Sequence, residues 1–115
     1  MRIQISSGGE KMTEYPGHYN WITSKFGRVI EAHQRLGQEM VNAGPVDGKT
    51  GHLVQLAAAA AIRSEGAVHS HVKRALEAGA QPEEIYHSLV LLISTIGFPA
   101  AAAALSWAKD IAEKK

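Results

Sequence analysis

Residues 66–85 read GAVHSHVKRALEAGAQPEEI. The helical pattern predicts a helix from about Glu65 to Ala78. Gly79 stands where a left-handed C-terminal cap is wanted, because glycine takes a positive φ without a Cβ clash. Three residues on, Pro82 fits the first turn of the next helix. Glu83 and Glu84 then sit near the positive end of its dipole.

The same grammar extends outward in both directions. Towards the N-terminus, Gly17 to Phe26 predicts a first helix carrying Tyr19, Trp21 and Ile22. Gly27 to Ala43 predicts a second, through Val29, Ile30, His33, Leu36, Met40 and Val41, ended by Gly44-Pro45. Asp47 can cap a third helix running to about Ser64 through Leu53, Val54, Leu56 and Ile62. Towards the C-terminus, Leu89, Leu92, Ile93 and Ile96 give the helix begun at Pro82 a buried stripe. Pro99 opens a sixth helix, which ends in the charged tail Lys109 to Lys115. The fold class expected is therefore all-α with about six helices. Two alanine runs, Ala57 to Ala61 and Ala100 to Ala104, give slim helix surfaces whose axes can approach closely. Helices this apolar on several sides argue that another copy covers some faces.

The chain has 115 residues, one domain by the usual length prior. The domain is expected over residues 12–115, and the polar, Gly/Ser-containing residues 1–11 are read as a flexible extension. The net charge of +1 argues against a nucleic-acid binder with a broad basic surface. No Asp, Glu, Lys or Arg occurs between Ile85 and Ala108, but Gly97, Phe98 and Pro99 interrupt that stretch. It is read as two buried helices meeting at a corner, with no membrane span. The chain has no cysteine. That removes disulfides, thiolate metal sites and dithiol redox chemistry, and it fits a cytoplasmic location.

The chemistry-bearing residues concentrate in Arg63-Ser64-Glu65-Gly66-Ala67-Val68-His69-Ser70-His71. An arginine, a carboxylate and two imidazoles surround a helix junction there. Proton transfer is the chemistry they offer, with Arg63 as a possible clamp for an anion. A metal site is not expected. On a helix His69 and His71 lie about 200° apart, on nearly opposite faces, and no carboxylate is read as spaced to join them. A serine nucleophile lacks its Gly-x-Ser-x-Gly elbow. A metal-dependent lyase or hydrolase and a purely structural role for the histidines stay open as alternatives.

The run GAVHSHVKRALEAGAQPEEI, followed by GFPAAAAAL at residues 97–105, resembles the carboxymuconolactone decarboxylase family of the alkylhydroperoxidase-D-like superfamily. The pattern is carried by His71, Ala75, Leu76, Gly79, Glu83, Glu84 and Ile85, and by the Gly97-Phe98-Pro99 corner. The resemblance implies an all-α, alkylhydroperoxidase-D-like helical bundle assembled as trimers or hexamers. In the peroxidase branch, Cys-x-x-Cys-x-x-x-His follows an upstream glutamate. Those positions fall here on Ser64, Ala67, His71 and His52. With both sulfurs replaced, this chain cannot perform thiol peroxidase chemistry. The decarboxylase branch needs no dithiol and no cofactor, and it acts on a small carboxylated lactone. The resemblance then implies His71 as proton donor or enolate partner, with His69 or His52 assisting. Arg63, Ser64 and Glu65 are expected on the substrate side, Arg63 anchoring an anionic group and Glu65 orienting an imidazole. The alternative is a non-catalytic oligomeric binding protein on the same scaffold.

Overall fold

The structure is a computed structural model that describes residues 17–114. The extension expected at residues 1–11 lies outside the described residues. Seven helices and no strand occur among the described residues, so the chain is all-helical, as its periodicity predicts. They form two compact units, one ending at Pro45 and one beginning at Val46.

The first unit holds α1 (Gly17–Lys25) and α2 (Gly27–Asn42). Phe26 links them, its N–H donating to the Ile22 carbonyl at 2.7 Å. Trp21 meets the edge of Phe26 at 6.3 Å between ring centroids, and His18 stacks on Trp21 at 5.9 Å. None of the α2 residues is buried, and Val29, Leu36, Met40 and Val41 are exposed.

The second unit holds α3 (Gly48–Ala61), α4 (Glu65–Glu77), α5 (Pro82–Val90), α6 (Ile93–Ile96) and α7 (Phe98–Ala112). Asp47 caps α3, its carboxylate accepting from the Thr50 N–H at 2.7 Å. That bond holds the Asp47 carboxyl below its ordinary range. α3 stops at Ala61, short of the expected Ser64, because Arg63 turns into the left-handed region at φ 59°. The Arg63 N–H reaches Ala60 and the Ser64 N–H reaches Ala59, both at 3.1 Å. These two bonds close a Schellman motif, with arginine where glycine is usual. Ser64 belongs to the next helix. Its Oγ accepts from the Ala67 N–H at 3.3 Å and caps α4.

The end of α4 repeats the motif with the expected residue. Gly79 stands at φ 103°, and Ala80 and Gly79 donate back to Ala75 and Leu76. Pro82 opens α5, whose first turn is closed by the Gln81 N–H donating to the Glu84 carboxylate at 2.8 Å. Lys49 pairs with the same carboxylate at 3.0 Å, tying α3 to α5. The single helix expected through Ile96 is instead two. The ladder tightens where Leu92 donates to Leu89, three residues back, and α6 is one further turn. This brings Leu92 and Ile96 onto the core while Leu91 stays exposed.

The core is built on small residues. Ala59 and Ala60 of α3, Ala75 of α4, and Ala101, Ala104 and Ala108 of α7 are buried. They let the helices meet around Leu56, Val68, Val72, Ile85 and Leu89, which are fully enclosed. Each of these larger side chains contributes about 1.5–3 kcal/mol by leaving water. α4 is the central element, packing most extensively on α3 and then on α7. No helix among the described residues is long and apolar enough to cross a membrane.

Candidate functional site

The short turn from Ile62 to Ser64 folds α4 back along α3. His52, early in α3, therefore meets His71, midway along α4. Their ring centroids lie 5.9 Å apart and their planes are tilted by 36°. The Nδ1 atoms of both rings are buried without a hydrogen-bond partner. An unpaired buried polar atom is unfavourable by about 1–3 kcal/mol. Two together mark a place where a ligand could supply the missing bonds.

The surroundings hold both rings towards the neutral form. Burial is the main cause for each, followed by the positive charge of Arg74, one turn beyond His71 on α4. The Gln55 side chain and the Glu77 carboxylate act in the opposite direction on His52. His52 is the third cause that depresses His71. A neutral imidazole offers one N–H donor and one acceptor nitrogen, so the pair can pass a proton in either direction. Arg74 adds a permanent positive charge beside it, suited to a carboxylate.

The other residues singled out in the sequence lie elsewhere. His69 is on the opposite side of α4, as its two-residue spacing from His71 requires. Its Nε2 stands 3.1 Å from the Asp110 Oδ2 of α7 and 3.9 Å from the Glu65 Oε2. Glu65 is thus spaced to join a histidine after all: positions four apart on a helix are neighbours. It faces His69, not His71. Arg63 is exposed at the helix corner, and Ser64 is engaged as the α4 cap. Of the expected set, the structure joins His52 to His71 and His69 to Glu65.

Four residues here escaped sequence reasoning. Arg74 is three beyond His71 and Gln55 three beyond His52, so each shares a helix face with its histidine; that spacing was the available signal. Glu77 lies one turn beyond Arg74. Asp110 comes from a helix 41 positions away from His69, and no local pattern announces it.

His52 and His71 meet side by side. Ser64 and Ala67, expected at the two sulfur positions, meet as hydroxyl and backbone N–H in the α4 cap. Comparison with curated proteins and with solved structures finds no match. The sequence model of the carboxymuconolactone decarboxylase family matches residues 28–110, a span that contains the histidine pair, Arg74 and the alanine-rich α7. The chain therefore belongs to the carboxymuconolactone decarboxylase family.

Proposed function

We propose that His71, His52 and Arg74 form a cofactor-independent proton-transfer site that decarboxylates a small carboxylated lactone or a related anion. The observation that carries this reading is the pair of adjacent imidazoles with buried, unpartnered Nδ1 atoms. Family membership supports the reaction class.

The chemistry follows from what such a substrate needs. Arg74 receives an anionic group of the substrate and orients it. The bond between the ring carbon and its carboxylate breaks, and carbon dioxide leaves. The electron pair of that bond moves into the conjugated lactone carbonyl as a dienolate. An imidazole N–H stabilises the developing negative oxygen. His71 then delivers a proton to carbon, and solvent returns one to the pair through His52. The balance is one carboxylate and one proton in, one carbon dioxide and one C–H bond out.

The test is carbon dioxide release from γ-carboxymuconolactone by the purified chain, beside His71→Ala and Arg74→Ala, with a chelator in every sample. Turnover that is lost in His71→Ala and that requires a higher substrate concentration in Arg74→Ala supports the reading. Absence of turnover in the unmodified chain rejects this substrate.

A second reading is a binding protein that retains the scaffold as a homo-oligomer, a trimer or hexamer. Its support is the apolar surface left open in the second unit, where Val54, Ile62, Val90, Leu91 and Phe98 are exposed. Saturable binding of the anion without product formation distinguishes it. For either reading we propose a cytoplasmic location, which the absence of cysteine fits.

A further inference from the structure

α4 carries a second cluster on the side away from His71. Glu65 in its first turn and His69 one turn later bring Oε2 and Nε2 to 3.9 Å. From α7, the Asp110 Oδ2 approaches the same Nε2 at 3.1 Å. The three donor atoms all lie within 4.8 Å of one another.

Internal hydrogen bonding accounts for only part of this arrangement. A ring nitrogen takes one partner in its plane, so Nε2 can bond Asp110 but not both carboxylates at once. The 3.9 Å approach of Glu65 is too long for a hydrogen bond. Two like-charged groups are left facing a single nitrogen. A divalent cation among them would bind all three donors and remove the repulsion. First-row metals bind imidazole nitrogen and carboxylate oxygen at about 2.0–2.2 Å, which places neighbouring donors about 3.0–3.5 Å apart. The His69–Asp110 separation of 3.1 Å falls inside that range, and the His69–Glu65 separation of 3.9 Å lies beyond it. Both carboxylates are exposed, so small rotamer changes close the remaining gap and an ion can enter from solvent.

We propose that Glu65, His69 and Asp110 form a binding site for one divalent transition-metal ion, with Zn²⁺ the best match to one nitrogen and two oxygen donors. Water fills the remaining positions. The bound ion clamps the start of α4 to the end of α7. The site is separate from the His52–His71 pair and does not depend on any activity assigned there.

The experiment is calorimetric titration of Zn²⁺ into the chelator-treated full chain, repeated with Mg²⁺, and a Co²⁺ absorption spectrum to report coordination. The variants are His69→Ala and Asp110→Asn, with the His33→Ala/His87→Ala double variant as a control for other exposed imidazoles. Circular dichroism checks that each keeps its helices. Expected are one Zn²⁺ per chain with a Kd below about 100 µM, unchanged in the control. Both site variants should bind at least about tenfold more weakly. Zn²⁺ should also raise Tm in the unmodified chain and not in His69→Ala. Stoichiometric binding that survives both site variants overturns the proposal, as does the absence of Zn²⁺ uptake. Mg²⁺ binding as tight as Zn²⁺ and indifferent to His69→Ala overturns it too, by reducing the cluster to a pair of carboxylates.

Discussion

His52 and His71 face one another at 5.9 Å with neither Nδ1 satisfied, and both are biased towards the neutral ring by burial and by Arg74. This has a consequence for stability. An imidazole in the unfolded chain takes up its proton near pH 6.5, whereas these two rings in the folded chain do so only at lower pH. Between those values the unfolded chain holds more protons, so acid favours unfolding. The stabilisation is fully present above about pH 6.5 and is lost as pH falls through the depressed folded values. We expect Tm to drop between pH 7.5 and pH 5.5. The His52→Gln/His71→Gln double variant should show a shallower drop. An equal slope in both proteins would place the acid sensitivity elsewhere.

Arg63 and Ser64 sit side by side at the α3–α4 corner and should respond oppositely. Arg63 is held at φ 59°, where a side chain is unfavourable and glycine is not. Arg63→Gly should stabilise the chain by about 1 kcal/mol. Ser64→Ala removes the α4 cap and should destabilise by about 1 kcal/mol. Urea unfolding midpoints of the two variants should therefore bracket that of the unmodified chain.

Gly97 tests whether backbone conformation or space decides. A Cβ there would meet nothing closer than the Pro99 Cδ at 3.9 Å, so there is room. Its backbone, however, is at φ 92° and ψ 155°, a region reserved for glycine. Gly97→Ala should destabilise by roughly 1–3 kcal/mol. Gly51 also has open space, but within the helical backbone of α3, and Gly51→Ala should stabilise by about 0.5–1 kcal/mol. Equal effects at the two positions would contradict the backbone argument.

The core should punish changes of size in both directions. Leu56 is fully enclosed, and Leu56→Ala should lower stability by about 2–5 kcal/mol. Ala104 is equally enclosed on α7. Ala104→Leu should force the packed helices apart and lower stability by about 1–3 kcal/mol. Guanidinium unfolding measures both.

Local chemistry explains which parts of this fold were readable. Asp47, Gly79 and Pro82 act through backbone geometry within a few residues, so their roles show in the sequence itself. The split between α5 and α6 does not, because Leu91 and Leu92 carry no breaker and only packing on the core decides where the ladder tightens. Arg63 hides the end of α3 for the same reason: the expected signal there is glycine. In the site, helical periodicity separates His69 from His71. It leaves open which helix each would meet. The pairing of His52 with His71 depends on the return angle of a hairpin, and the approach of Asp110 to His69 depends on α7. Both are tertiary facts.

α4 presents His71 on one side and His69 on the other, and one rigid rod cannot adjust the two sides separately. Any displacement of the rod at His69 is also a displacement of His71 relative to His52. If occupancy of either side changes the position of this rod, the two sides are thermodynamically linked. An ion that tightened anion binding by some factor would itself be held tighter by that same factor when the anion is present. Effector and substrate would then exchange influence across the width of a single helix, with no change of fold.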